Sequence, residues 1–298
     1  MINYNPKEWF SFIFKFHKAD TFRELFPLII GISFYAYIVY WLEVSYLHLG
    51  DDSKLKNISI LHSMLTFAIS TLLVFRANSA YDRWWEGRKL WGALVNNSRN
   101  LAMKLNALLP ADKKTERDFF KHMISNYAFA LKNHLRTQFH VEDFESSELF
   151  HNTNINPTTH VPNQIAQTLF FQVQQLKVKG VLNDTQMLYI NTELSSFTDV
   201  CGACERIKNT PIPFSYSVFL KKIIFFFVMS LPFTLAISLS YFCVPVTAFI
   251  FYVLTSIELI AEEIENPFGN DANDLPTDTI SANIKKSVHD IFDMPIVQ

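Results

Sequence analysis

The chain has 298 residues, of which 49% are hydrophobic and only 18% are charged. Soluble domains carry about a quarter charged residues, so this chain lacks the polar surface needed to be wetted on all sides. The net charge of −2 disfavours a nucleic-acid partner, because such proteins carry a concentrated basic surplus. Seven glycines, without a GxGxxG or P-loop string, also disfavour a nucleotide-binding fold.

Long uncharged segments indicate a polytopic membrane protein. The first is residues 25–42 and the second is residues 57–75, and about 20 such residues can cross a hydrocarbon core of about 30 Å as a helix. Residues 223–257 carry no charge over 35 positions, which suits two helices. We expect the break near Pro245, since proline removes a helical hydrogen bond. A pair of buried core helices is the alternative for this segment.

Cations cluster at one end of each predicted span and orient the chain. They are Lys7, Lys15, Lys18, Arg23, Arg76, Arg83, Arg88, Lys89, Lys221 and Lys222. The positive-inside rule therefore places both termini and the long middle region in the cytoplasm. The predicted divisions are an N-terminal cytosolic segment (1–24), transmembrane helices 1 and 2 (25–75), a helical cytosolic region (76–222), transmembrane helices 3 and 4 (223–257) and a C-terminal cytosolic segment (258–298).

The middle region is predicted to be mostly helical. Leu90, Leu94, Leu101, Met103 and Leu105 fall near a spacing of 3.6 residues, which is typical of a helix. Cys201 and Cys204 have the CxxC spacing of a redox pair or half a zinc site, but no second CxxC occurs. We interpret them as unpaired structural thiols.

Three segments resemble the bacterial branch of the bestrophin family, whose members are described as voltage-dependent, anion-channel-forming membrane proteins. The strings are FRANSAYDRWWEGRKLWGALVNNSR (75–99), CGACERIKNTPIPFSY (201–216) and ENPFGNDANDLPTD (265–278). They occur in the family's order and spacing and cover nearly the whole chain. The charged residues of the first string, from Asp82 to Lys89, suit a structural ion-pair network that orients the preceding helix at the membrane border.

The resemblance implies an all-α homopentamer around one central pore, in the bacterial inner membrane. Each subunit would contribute four transmembrane helices, of which the second lines a narrow neck. The implied partners are the lipid bilayer, other copies of the chain and permeant small ions, without nucleic acid. No enzyme activity is implied.

Register with the family, counted back from Arg83, places Phe67, Thr71 and Phe75 on the neck. Residues four apart lie along one stripe of a helix, so five copies would form three belts. Phe belts can gate a pore by dewetting, and their ring edges carry partial positive charge toward an anion. Family members carry aliphatic or aromatic residues at all three levels, whereas Thr71 is polar and should wet the neck. Ordinary helix packing is the alternative for this stripe.

The resemblance implies a second constriction, the cytosolic aperture, which falls on Thr185 in ungapped register with the family from Cys201. The residue follows Asn183 and Asp184, which suit the start of a helix. The family often has an apolar residue there. The alternative is a surface residue at a helix N-terminus.

The acidic segment invites a calcium interpretation. Asn266, Asp271 and Asp274 match positions that hold calcium in animal bestrophins, with Glu263 where those carry an amide. Hard oxygen ligands are what Ca²⁺ prefers. The acidic run is interrupted here, so an Asx-rich turn ahead of a helix is the alternative. No cofactor is required for conduction, and calcium is an optional ligand.

The resulting function is a passive ion channel, with chloride and other monovalent anions expected from the family. A sodium or potassium channel of the same fold is the alternative, because Asp51 and Asp52 would attract cations if they ring the outer entrance. A remote alternative is a membrane-embedded metal enzyme using Asp271, Asp274 and Asp278. It lacks an HExxH or GxSxG motif.

Overall fold

The computed structural model describes residues 21–49 and 58–294, apart from the side chain of Ile58. This part of the chain folds into helices, with one isolated bridge between Ser147 and Phe150. The longer helices, numbered in chain order, are α1 (Thr21–Tyr40), α2 (Ile58–Leu108), α3 (Lys114–Leu135), α4 (Val161–Val178), α5 (Asp184–Asn209), α6 (Phe214–Leu239), α7 (Cys243–Glu265) and α8 (Thr277–Asp293). The all-α prediction is thus confirmed for the described residues.

The chain divides into two compact units. The first unit consists of Met1–Trp84, Pro211–Pro267 and Asp271–Asn273. The second unit consists of Trp85–Thr210, Phe268–Asn270 and Asp274–Gln298. The division predicted from hydropathy places the first boundary at residue 76, nine positions before Trp85, where the second unit begins.

Three stretches of the described chain are long and apolar enough to cross a membrane: Thr21–Tyr46, Ser59–Leu108 and Phe214–Glu265. The first continues from α1 into a π-helical turn, Trp41–Tyr46. The second belongs to α2, which runs for 51 residues without interruption, about 77 Å at 1.5 Å per residue. The predicted second span therefore continues well beyond Phe75 as one helix.

The third stretch is a helical hairpin whose break differs from the predicted one. The chain turns at Ser240–Phe242, where Ser240 has a φ of +55°. Pro245 instead lies in the first turn of α7. A proline is tolerated there because the first N–H groups of a helix have no intrahelical partner. Proline therefore marks the start of the second helix rather than the break itself.

Apolar side chains hold the helices of the first unit together. Ile69 and Leu73 of α2 are buried against α6, with Leu220, Phe227 and Leu231 in the same cluster. Hydrogen bonds fix the position of α1 along its neighbours. The Thr21 hydroxyl donates to Ser256 of α7 at 2.9 Å, and the Tyr35 hydroxyl donates to the Met229 carbonyl of α6 at 2.8 Å.

His62, which the sequence places inside the second span, is buried between helices. Its Nε2 lies 2.7 Å from the Ser230 hydroxyl and its Nδ1 lies 3.2 Å from the Thr234 hydroxyl, both on α6. Its ring also meets Phe227 edge-on at 5.5 Å. The contacts assign this histidine a packing role between α2 and α6.

The second unit has a core built around α3. Tyr127 stacks on Phe197 of α5 at 4.6 Å and donates a hydrogen bond to the Phe197 carbonyl at 2.6 Å. Cys201 and Cys204 are free and buried beside it. Burial raises the pKa of the Cys201 thiol to about 12, so the thiol stays protonated. These properties confirm the interpretation of the pair as structural thiols.

The predicted periodicity of the middle region is confirmed for three of its five positions on α2. Leu94, Leu101 and Leu105 are fully buried, whereas Leu90 is partly exposed and Met103 is 50% exposed. Close by, Gly87 leaves room for the ring of Phe268, which would lie 3.1 Å from an added Cβ. Two of the family-like strings, around residues 75–99 and 265–278, thus contact each other within the second unit.

Candidate functional site

The candidate site begins at Arg76, the first charge after the uncharged run of α2. Its side chain is only 1% exposed. Its Nη1 lies 2.7 Å from an oxygen of Glu265 and its Nε lies 3.4 Å from an oxygen of Glu258, both on α7. A buried cation needs paired and well-placed anions, because desolvation of an unpaired charge costs several kcal/mol. This cluster fixes the rotation of α2 against α7.

Glu265 connects all three family-like strings within the first unit. Its Oε1 accepts a hydrogen bond from the Ile212 amide at 2.6 Å, and its carbonyl accepts one from Arg83 Nε at 2.9 Å. Four residues after Ile212, the Tyr216 hydroxyl donates to the Leu72 carbonyl at 2.8 Å. The residues that carry the resemblance therefore hold α2, α6 and α7 together.

The predicted ion-pair network from Asp82 to Lys89 is found only in part. Arg83 takes part through the Glu265 carbonyl, and Glu86 pairs with Arg206 at 3.0 Å in the second unit. The sequence analysis missed Arg76 and Glu258 as the buried members. The signal available for Glu258 was its position as the first charge after the uncharged run 223–257, since a carboxylate at the end of a membrane span needs a partner.

The predicted neck residues lie on the face of α2 opposite to this cluster. Phe67 is 76% exposed, Phe75 is 62% exposed and Thr71 is exposed between them. At about 100° per residue, this stripe is about 180° away from the stripe that contains buried Ile69 and Leu73. One face of α2 is thus packed, and the described residues leave the other face, with its two phenyl rings, exposed.

The Thr71 hydroxyl makes a hydrogen bond within its own helix. Its hydroxyl donates to the Phe67 carbonyl at 2.9 Å, one turn earlier. The proton is therefore engaged, and the oxygen retains lone pairs that accept hydrogen bonds from water. The group is a weaker water anchor than a free hydroxyl.

Thr185 lies in the first turn of α5, as predicted, and is exposed. The helix begins with a capping box, in which Asn183 accepts from the Gln186 amide at 2.8 Å and Gln186 accepts from the Asn183 amide at 2.9 Å. One turn on, Leu188 is exposed as well. The capping box fixes the position of Thr185 at the start of α5. Its exposed apolar neighbour, Leu188, was not predicted from the sequence.

The four residues of the predicted calcium site differ in environment. Glu263 accepts a hydrogen bond from the Asn273 amide at 2.6 Å, and Asn266 follows the end of α7. Asp271 is exposed, whereas Asp274 is buried. All four offer the hard oxygen atoms that suit Ca²⁺, but Glu263 would have to exchange the Asn273 amide for the ion.

Comparison with known proteins identifies the class to which this architecture belongs. The family described as "Bacterial/Fungal Bestrophin protein" matches residues 1–290. The chain therefore belongs to the bestrophin family.

Two curated relatives illustrate the match. The voltage-dependent anion channel-forming protein alr2987 of Nostoc sp. is 35% identical over 232 residues, covering 76% of this chain and 75% of that protein. The voltage-dependent anion channel-forming protein YneE of Escherichia coli K12 is 32% identical over 284 residues, covering 94% and 90%.

Solved structures agree with the family assignment. A crystal structure of a bacterial bestrophin homologue from Klebsiella pneumoniae, carrying one substitution, superimposes with a TM-score of 0.80. That protein is 27% identical, and the match covers 91% of this chain and 100% of that one. The likeness extends over nearly the whole length of both proteins.

The buried position of Arg76 leads to a stability prediction. Arg76→Met keeps an apolar stem but leaves Glu258 and Glu265 without their cation, so we expect a loss of about 3–5 kcal/mol. Thermal unfolding of the purified protein in detergent would measure it. Lys221→Met is the matched control, since its ion pair with Glu262 is half exposed and such pairs contribute at most about 1 kcal/mol. Equal losses in both variants would contradict the assigned role of Arg76.

Proposed function

We propose that the chain forms a homopentameric channel that passes small anions, chloride above all, down their gradient. Family membership supports an anion channel, and so do the two relatives, which are both named voltage-dependent anion channel-forming proteins. The observation that carries the proposal is that the two faces of α2 differ. One face is packed and fixed by Arg76, and the opposite face exposes Phe67 and Phe75. Family membership also argues against the alternative of a membrane enzyme.

Four transmembrane helices per subunit fit the lengths of the helices. Helix α1 with its π-helical turn and the N-terminal part of α2 supply two spans. Helices α6 and α7 have 26 and 23 residues, or about 39 and 35 Å, and each exceeds a hydrocarbon thickness of about 30 Å. In this arrangement both termini lie in the cytoplasm of a bacterium, and the protein resides in the inner membrane.

The exposed stripe of α2 supplies the proposed neck. Five copies of Phe67 and Phe75 would surround the axis with two apolar belts, which can gate a narrow pore by dewetting. Between them, Thr71 offers oxygen lone pairs because its proton is held by the Phe67 carbonyl. The middle belt therefore holds water in the neck without supplying a donor directly to an anion.

Beyond the neck, Thr185 is proposed for the cytosolic aperture, supported by its exposure at a capped helix start. Calcium at Glu263, Asn266, Asp271 and Asp274 also remains a proposal. Bound calcium would supply positive charge close to the carboxylates, and conduction does not require it.

A cation channel of the same fold is the second candidate, and Asp82 favours it. This exposed carboxylate lies 11 residues after Thr71, three turns of helix further and about 20° from the same line. Five such carboxylates near a pore axis would attract cations. Asp51 and Asp52, which suggested the same alternative, lie outside the described residues.

Reversal potentials decide between the two ions. In planar bilayers with purified protein and a steep KCl gradient, we expect the current to reverse near the chloride equilibrium potential. Asp82→Asn should leave that sign unchanged, because the carboxylate does not select the ion in an anion channel. Reversal near the potassium equilibrium potential, shifted toward zero by Asp82→Asn, would establish the cation channel instead.

Substitutions in the neck test its position. The double variant Phe67→Ala, Phe75→Ala should raise single-channel conductance or open probability severalfold, because both dewetting belts are lost. Thr71→Ile should lower the current by restoring an apolar middle belt. Phe226→Ala is the matched control, since Phe226 is equally exposed but belongs to α6. Unchanged currents in the double variant, or an equal rise in the control, would show that the stripe is not in the neck.

A further inference from the structure

Two groups of two histidines and one glutamate occur in the described part of the second unit. In each group, one potential ligand atom of every residue lies within 4.8 Å of the others. The first group is His122, Glu145 and His289, and the second group is His134, His160 and Glu205. Neither has a role in the proposed channel.

The second group has the hydrogen-bond pattern of a structural clamp. His134 Nε2 and His160 Nε2 lie 2.6 and 2.7 Å from the same oxygen of Glu205. His160 Nδ1 accepts a hydrogen bond from the Asn163 amide at 3.1 Å, so its proton resides on Nε2. A metal ligand needs the reverse, with a lone pair on the ligating nitrogen and a proton on the other.

The ionisation of Glu205 also agrees with its role as the acceptor of hydrogen bonds from the two histidines. Burial opposes ionisation of Glu205, but the hydrogen bonds from His160 and His134 outweigh it and lower the pKa of the carboxyl. The carboxylate thus ties the end of α3 and the start of α4 to α5. Both of its histidines contact the same carboxylate oxygen, whereas in the first group His289 alone of the two histidines lies within hydrogen-bond distance of Glu145, at 3.0 Å.

The first group joins three separate parts of the second unit. His122 lies on α3, His289 lies on α8, and Glu145 belongs to the loop that follows α3. All three side chains are mostly buried, with 17% of His122, 25% of His289 and 23% of Glu145 exposed. A ligand held by all three would fasten the C-terminal helix to α3.

The surroundings of this group suit metal ligation. Asp118 Oδ2, one turn earlier on α3, lies 3.4 Å from His122 Nδ1 without a hydrogen bond between them, and a small rotation of the ring would direct the Nδ1–H toward this carboxylate and leave Nε2 as the ligand. The Asn126 side chain accepts from the Glu145 amide at 2.8 Å and fixes the loop. Lys285 holds Glu145 Oε1 at 2.9 Å, while Oε2 lies 3.0 Å from His289.

The carboxylates around the group outnumber the lysines by one before a metal binds. Glu145 and Asp118 are anionic, and the neighbouring cations are Lys285 and Lys121. Lys121 is shared between Asp118, at 3.6 Å, and Asp293, at 3.4 Å. Both lysines are therefore paired with carboxylates, so neither one places an unpaired positive charge beside the metal.

We propose that His122, Glu145 and His289 bind a divalent transition metal, with Zn²⁺ as the best fit. Two imidazole nitrogens and one carboxylate oxygen, with water as the fourth ligand, form an accepted zinc coordination set. Calcium and magnesium prefer all-oxygen sites, which distinguishes this group from the acidic segment at residues 263–274. Bound zinc would fasten α8 to α3 and stabilise the second unit.

The test is zinc titration of the full-length, tag-free protein in detergent by calorimetry, after removal of metal with EDTA. We expect one Zn²⁺ per chain and a higher melting temperature when zinc is added. His122→Gln and His289→Gln should each weaken binding about 100-fold, and Asp118→Asn about 10-fold, as for an outer partner. His134→Gln, which removes a histidine of the clamp on the same helix, is the control and should leave zinc affinity unchanged.

A cysteine variant keeps the test independent of folding defects. His289→Cys retains a zinc donor, so it should still bind, and Co²⁺ should produce a thiolate charge-transfer band that the wild type lacks. The proposal is overturned if wild-type protein binds no Zn²⁺, if His122→Gln and His289→Gln bind as well as wild type, if His134→Gln loses the metal, or if the cobalt band is missing.

Discussion

The buried guanidinium of Arg76 is the constraint on which the membrane-spanning arrangement depends. It lies at the end of an uncharged run on α2 and contacts Glu258 and Glu265 of α7. Rotating α2 by a few tens of degrees would separate these charges in surroundings that cannot solvate them. Glu265 also binds the Ile212 amide and, through its carbonyl, Arg83. One carboxylate-bearing residue thus connects α2, the start of α6 and the end of α7.

Fixing one face of α2 determines what the opposite face presents. Ile69 and Leu73 are committed to the core, so Phe67, Thr71 and Phe75 remain uncovered within the chain. Exposed phenyl rings on a membrane helix can face lipid, a second copy or a pore. Family membership favours the pore, and the engaged hydroxyl of Thr71 makes the middle belt less polar than its residue type suggests.

Much of this could be predicted from local sequence. The apolar spans, the helical hairpin, the buried leucines of α2 and the capped start of α5 depend on composition and on neighbouring residues. The turn at Ser240 could not be placed, because Pro245 is equally compatible with the first turn of a helix. In the sequence Arg76 resembled an interfacial cation. Its partners lie 182 and 189 positions away in the chain, so local sequence does not show that they meet it. The two histidine groups were missed for the same reason: only the fold brings their members together.

The most direct test of the account is cysteine scanning along α2 from Met64 to Asn78, with a charged methanethiosulfonate reagent applied during bilayer recording. The native Cys201, Cys204 and Cys243 are buried, so the background reaction should be small. We predict that the current changes at positions 67, 71 and 75 and not at 69 or 73, with a period of about 3.6 residues. Modification without this period, or centred on the packed face, would contradict the assignment of this stripe to the pore.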